Sequence, residues 1–260
     1  MTKVSPDFVF DPSRSAKETA ELRIRAQDVQ SGSVTSWSFS SLQVFEKCKW
    51  QTYLDRVMKT PKPKQASGAA RGTEIHDLAE TFVRDGMRAT LPDALKVFAT
   101  KFDDLKKRFQ SGQVTLEEEW AFTSSWNACE WSAANAWARV KLDAFVRESE
   151  TSAKVIDYKT GRRFGNEIKH ASQGQQYAIA ALMKFPELQF INVEFWYTDL
   201  KNDNVMERNY TRERAMLFLP GLERRATAMT TATEFPPSPS QGNCKWCPFR
   251  ENKTCEWRVE

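Results

Sequence analysis

Apolar positions along the chain change their spacing several times, and each change predicts an element. From Gly72 the residues Ile75, Leu78, Ala79, Phe82 and Val83 recur at intervals of three and four, the signature of a helix with one buried stripe. His76 lies on the edge of that stripe. A second helical pattern covers Pro92 to Phe109, and an earlier one carries Leu42, Phe45 and Tyr53 through Cys48, with Ser40 as its N-cap. Strand-like segments follow at about 114–124, 138–147, 153–159 and 189–198. Between the last two lies a helix from Ser172 to Lys184, and a final helix covers about 211–230. His170 is read as a loop residue. Pro236, Pro237, Pro239 and Gly242 mark an extended tail. This order of helices and strands predicts a mixed α/β domain over 35–260, preceded by a polar N-terminal extension over 1–34.

The acids in two of these strands suggest chemistry. In Lys154-Val155-Ile156-Asp157-Tyr158-Lys159 the residues Asp157 and Lys159 are two apart and project to one face. If the preceding strand pairs with this one, Asp143 joins them, and two carboxylates and an ammonium surround one point. Carboxylate oxygens suit Mg²⁺ or Mn²⁺, and a nearby lysine suits a phosphodiester under attack. A salt-bridged surface strand would carry the same residues. Glu119, on the strand before, is a candidate to support this cluster from the second shell of a metal.

Composition narrows the class. Nine tryptophans and seventeen phenylalanines argue for a packed core, while the net charge of +4 does not by itself demand a nucleic-acid partner. A basic run, Lys47, Lys49, Arg56, Lys59, Lys62, Lys64 and Arg71, interleaves with Trp50 and Tyr53. It reads equally as a phosphate-binding surface or a solvated basic face. No apolar stretch is long enough to span a membrane and the N-terminus lacks a signal-peptide core, so the expected location is the cytoplasm, a host's if the chain is phage-encoded. Cys244-Lys245-Trp246-Cys247, with Cys255 beyond, has metal-ligand spacing. Three thiolates need a fourth, and either zinc or a [4Fe–4S] cluster is served by four. Cys129 is left as a spare thiol.

Asp143 with Asp157-Tyr158-Lys159 resembles the signature of the PD-(D/E)XK nuclease superfamily. Three further motifs resemble its RecB/AddB-like branch, which includes the iron–sulfur nucleases of CRISPR adaptation. They are Gly72-Thr73-Glu74-Ile75-His76, Gln173-Gly174-Gln175-Gln176-Tyr177 and the cysteine layout. The resemblance runs from about Ser36 to Cys255. It implies a restriction-endonuclease-like mixed sheet flanked by helices, with the C-terminal cysteines joined to the first helix. It implies metal ligation by His76, Asp143, Asp157 and the Tyr158 carbonyl, with Lys159 catalytic. Gln173 and Tyr177 would lie beside the active site and contact DNA. Cys48, Cys244, Cys247 and Cys255 would hold a [4Fe–4S] cluster in preference to Zn²⁺, organising a DNA-binding surface near Trp246, Phe249 and Arg250. The implied activity is exonuclease hydrolysis from DNA ends, in repair, recombination or processing of phage or foreign DNA. The rivals are an endonuclease or flap nuclease and a catalytically silent, metal-stapled DNA-binding protein. With no G-x-x-x-x-G-K-[ST] loop, any helicase would be a separate partner.

Overall fold

The computed structural model describes residues 33–63, 67–85 and 90–259. In chain order the helices and strands are α1 (Phe39–Lys47), α2 (Lys49–Thr52), α3 (Ser67–Arg84), α4 (Ala99–Gln110), β1 (Val114–Phe122), β2 (Ala128–Cys129), β3 (Ala138–Arg147), β4 (Ser152–Lys159), α5 (Glu167–Lys184), β5 (Phe190–Tyr197), β6 (Val205–Thr211), α6 (Arg212–Met216), α7 (Leu219–Thr230), α8 (Gln241–Cys244) and α9 (Pro248–Glu251). A π-helical turn, Tyr53–Val57, and a 3₁₀ turn, Asp93–Phe98, adjoin α2 and α4. The chain divides into two compact units, 65–222 and a second made of 1–64 with 223–260. The expected extension 1–34 lies almost wholly outside the described residues, although Val34 is buried.

The larger unit is built on a six-stranded sheet in the order β2-β1-β3-β4-β5-β6. All pairs are antiparallel except β4 with β5, whose parallel register is bridged by α5. The sheet is thus mixed and flanked by helices. Ile75, Ala79, Phe82 and Val83 of α3 pack with Phe102 and Leu105 of α4 against Leu116, Ala144, Val146, Ile156 and Trp196 on one face. On the other face α5 comes close enough that a Cβ at Gly174 would lie 3.4 Å from both the Phe195 ring and the Tyr210 hydroxyl. Small size at that position sets the distance between helix and sheet.

Several elements depart from the sequence expectation. Ser38 caps α1, in a capping box with Ser41, because its hydroxyl reaches the Ser41 N–H; Ser40 lies inside the helix. The helix does not run through Cys48, whose extended backbone (φ −158°, ψ 107°) separates α1 from α2. α5 starts at Glu167, so His170 is a buried helix residue and not part of a loop. The segment expected as one helix over 211–230 is divided into α6 and α7, and the half-exposed β6 has too weak an alternation to be seen beforehand.

In the smaller unit Leu42 and Phe45 of α1 are buried, as are Phe235, Phe249 and Trp257 of the C-terminal part. Its two chain segments are tied by polar contacts: the Asn243 amide donates to the Lys47 carbonyl at 2.9 Å, and Arg225 forks onto Glu46 at 2.6 and 2.9 Å. Among the described residues no helix is long and apolar enough to cross a membrane.

One buried acid links sheet and helix in the larger unit. Glu194 accepts from Lys101 (2.8 Å), Lys154 (2.9 Å) and the Trp196 indole (2.7 Å). Burial raises its pKa, but these donors more than offset that, and the pKa is lowered overall. Its contribution to stability is therefore present above the unfolded glutamate pKa of about 4.3 and is lost as pH falls through the lower folded value. Glu194→Gln is expected to cost about 1–3 kcal/mol at neutral pH. Urea titrations at several pH values should show the acid-side loss of stability become shallower in the variant.

Candidate active site

β1, β3 and β4 bring three acids onto one cross-strand row. The β1–β3 register pairs Leu116 with Ala144 and Glu118 with Leu142, which sets Glu117 opposite Asp143. The β3–β4 register ends at Ala144 and Ile156, and one step further sets Asp143 opposite Asp157. Regular pairing is interrupted at this row. Glu117 has a left-handed backbone, φ 52°, uncommon for a residue with a side chain and concentrated at functional sites. The strand changes face there. Leu116 belongs to the core under α3 and α4, whereas Trp120, four residues on, packs against Phe145 and Phe185 on the α5 side.

With the ladder open, the carboxylates take up other partners. Asp143 Oδ2 accepts the Tyr158 N–H at 2.6 Å, and Asp143 Oδ1 lies 3.0 Å from His76 Nδ1 on α3. Asp157 Oδ1 accepts from the Tyr177 hydroxyl at 2.5 Å and the Gln173 amide at 3.2 Å, both from α5. Gln173 also donates to the Tyr177 oxygen at 2.7 Å, so the two motif residues hold Asp157 together. Asp157 Oδ2 is buried and lacks a hydrogen bond of good geometry, yet it lies 2.6 Å from Lys159 Nζ. The Lys159 ammonium also sits 5.6 Å from the centre of the Phe195 ring.

Each carboxylate of the row faces a basic group: Glu117 lies 2.9 Å from Lys141 Nζ, Asp157 2.6 Å from Lys159 Nζ and Asp143 3.0 Å from His76 Nδ1. Asp143 has its pKa pushed up to about 6, first by burial and then by the charge of Asp157, despite the opposing His76 and Tyr158 bonds. Burial lowers the His76 pKa, but the Asp143 hydrogen bond and the charges of Asp143, Asp157 and Glu117 reverse this and leave it raised. Ligand atoms of His76, Glu117 and Asp143 all lie within 4.8 Å of one another, and the oxygen-rich donor set fits a hard divalent ion.

A model of the PD-(D/E)XK nuclease superfamily matches residues 36–252. The protein belongs to that superfamily. No curated protein matches it significantly. Among solved structures, this PD-(D/E)XK chain is similar to SSO0001, with 15% identity, 95% of this chain and 99% of the other covered, and a TM-score of 0.40. It is also similar to the alkaline exonuclease LHK-Exo of Laribacter hongkongensis, with 13% identity, coverage of 75% and 86%, and a TM-score of 0.36. For LHK-Exo in complex with dAMP the identity is 12% at the same coverage, with a TM-score of 0.39.

The PD-(D/E)XK site thus gathers His76, Asp143, Asp157, Tyr158, Lys159, Gln173 and Tyr177. Glu119 is exposed and pairs in register with Lys141, away from the row. Glu117 is the acid the sequence reading missed. The run Glu117-Glu118-Glu119 signalled an acid on this strand but not which one. Glu117→Gln is expected to slow cleavage about 10²-fold, whereas Glu119→Gln changes it little. Initial rates over a metal titration check this, since the Glu117 variant should also need more metal. His170, one turn before Gln173, is a structural neighbour: its Nδ1 lies 2.6 Å from the Tyr197 hydroxyl and its ring stacks on Phe195. Burial, followed by the charge of Lys159, holds its pKa down to about 4, so the imidazole is neutral.

In the other unit Cys48, Cys244, Cys247 and Cys255 line one small cavity with Trp50 and Trp257. The last three are buried, and burial pushes Cys255 up to about 12, with the other three cysteines adding to the shift. Cys129 lies apart on β2. Of the residues named near the expected DNA-binding surface, Trp246 is exposed and Phe249 is buried in the core of its unit.

Proposed function

We propose that the protein is a divalent-metal-dependent deoxyribonuclease acting from DNA ends. The observation that carries the hydrolytic reading is the opened β1–β3–β4 row, where three carboxylates and His76 converge beside an ammonium anchored on Asp157. His76, Glu117, Asp143 and Asp157, completed by the Tyr158 carbonyl, would hold Mg²⁺ or Mn²⁺. Bound there, such an ion supplies charge against the phosphodiester and lowers the pKa of a water. Gln173 and Tyr177 fix Asp157 through Oδ1, leaving Oδ2 toward Lys159. Lys159 then orients the attacking water and stabilises the negative charge that grows on the phosphoryl oxygens. Preference for ends follows from the RecB/AddB-like motif order, and a separate helicase would have to supply unwound DNA.

The four cysteines are proposed to hold a [4Fe–4S] cluster. The cavity that the four thiols line together, and the likeness of their layout to the iron–sulfur members of the RecB/AddB-like branch, support this reading over a Cys₄ zinc site.

The test is degradation of end-labelled linear and closed circular DNA by anaerobically purified protein, with Mg²⁺, Mn²⁺ or EDTA. Metal-dependent loss of linear DNA, with circles spared, is the expected result. Nicking or linearisation of circles would replace the exonuclease with an endonuclease, and no cleavage of any substrate would overturn the nuclease reading.

A further inference from the structure

Two apolar side chains stand in solvent just beyond Lys159. Phe164, in the connection from β4 to α5, is 73% exposed, and Ile168, in the first turn of α5, is 89% exposed. The connection that displays Phe164 is held in shape. Left-handed Gly161 (φ 86°) and Gly165 (φ 87°) bound it. The Gly161 N–H donates to Asp199 Oδ2 at 3.0 Å, the Arg163 guanidinium donates to the Asp203 carbonyl at 2.9 Å, and the Asn166 amide donates to the Arg162 carbonyl at 2.9 Å. An aromatic ring is thus presented outward from a fixed loop.

Helix spacing connects this segment to the site. Lys169, Gln173 and Tyr177 follow one another at steps of four along α5 and share a face. Gln173 and Tyr177 reach Asp157, so Lys169 stands one turn nearer the helix start on the same stripe. Although Lys169 as a residue is exposed, desolvation and then the charge of Lys159 lower its pKa, which accords with an ammonium near the Lys159–Asp157 pair. The segment carries Arg162, Arg163 and Lys169 against the acids Glu167 and, bonded to it, Asp199, beside an exposed ring and an exposed aliphatic chain.

We propose that this segment grips the substrate strand: Phe164 and Ile168 receive the face of an unstacked base of single-stranded DNA next to the cleaved bond, and Lys169 binds the adjoining phosphate. The proposal rests on the nuclease reading of the same site. A base within a duplex has both faces covered by its neighbours, so an apolar pair of this kind is useful only where the strand is single. The basic excess along 161–169, Arg162, Arg163 and Lys169 against Glu167, favours a polyanion over an apolar protein partner or a second copy of the chain, and the segment leads from β4, which carries Asp157 and Lys159, into α5.

The experiment is fluorescence anisotropy of the full chain in EDTA, with a labelled oligothymidylate and with the same strand made abasic. Wild type, Phe164→Ser, Ile168→Ser and Lys169→Ala are compared, with Leu217→Ser, another exposed apolar residue, as the control. Phe164→Ser is expected to weaken binding to the base-bearing strand about tenfold and to lose the wild-type preference for it over the abasic strand. Lys169→Ala should weaken binding to both strands and make it less salt-dependent. If Phe164→Ser and Ile168→Ser bind both strands as wild type does, while wild type still cleaves DNA, the inference alone is overturned. A change in the oligomeric state of these variants by light scattering, with DNA binding intact, also overturns it and assigns the patch to a second copy. If wild type neither binds nor cleaves DNA, the nuclease reading fails and the inference with it.

Discussion

Lys159→Ala is expected to slow DNA cleavage by about 10²–10³-fold or more while leaving DNA binding nearly intact. The ammonium sits 2.6 Å from Asp157 Oδ2, at the edge of that carboxylate not occupied by Gln173 and Tyr177. Removing it leaves the acids and His76 in place, so affinity for the divalent ion should hold or rise as a competing positive charge disappears. What is lost is a donor aimed at charge that appears only during the reaction, and such a loss falls on kcat more than on KM. Lys159→Arg should recover little, because a planar fork cannot take the position of a compact ammonium. Rates measured at saturating Mn²⁺ with linear DNA, beside anisotropy on the same strand, check both halves. Unaltered cleavage in Lys159→Ala would remove the lysine from the catalytic centre.

Cys247→Ser is expected to have the second largest effect, on the stability of the other unit. Cys247 lines the cavity with Cys48, Cys244 and Cys255, and since no disulfide joins the described cysteines, the proposed cluster would tie the unit's two segments covalently. Loss of one thiolate should strip iron and acid-labile sulfide and abolish the visible charge-transfer absorption. Structural metal sites contribute folding free energy outright, so the melting temperature should fall by roughly 10 °C or more. The unit should not fall apart completely, since the Asn243 and Arg225–Glu46 contacts and the buried Phe235, Phe249 and Trp257 remain. Iron and sulfide analysis with parallel melting curves measures this. Stoichiometric zinc without sulfide in the wild type would convert the assignment to a Cys₄ zinc site.

The architecture was legible wherever a strand or helix repeats its period without interruption. The stripe of Ile75, Ala79, Phe82 and Val83 is that of a helix lying on a sheet, and β1, β3, β4 and β5 fall within a few residues of their expected bounds. Reading failed where tertiary contacts override pattern. The first turn of α5 is polar and exposes Ile168, so periodicity starts only at Ser172, and His170 was misplaced in a loop. In β6 only Met206 and Tyr210 are buried, too few for an alternation to register. Glu117 was invisible for a sharper reason. Period-two reasoning assumes that a strand keeps its faces, and the left-handed residue at 117 exchanges them. The site is therefore least legible at the place where the sheet opens to make it.

The smaller unit is assembled from the two ends of the described chain, with the whole nuclease sheet inserted between them. During synthesis Cys48 leaves the ribosome about 200 residues ahead of Cys244, an interval of roughly 10–40 s at typical elongation rates. For that time its thiol lacks the three cysteines that share its cavity, and the sheet with its acids can already be folded. Loading of the proposed cluster thus has to wait for the three later cysteines, and oxidation of Cys48 in that interval would leave the site one ligand short.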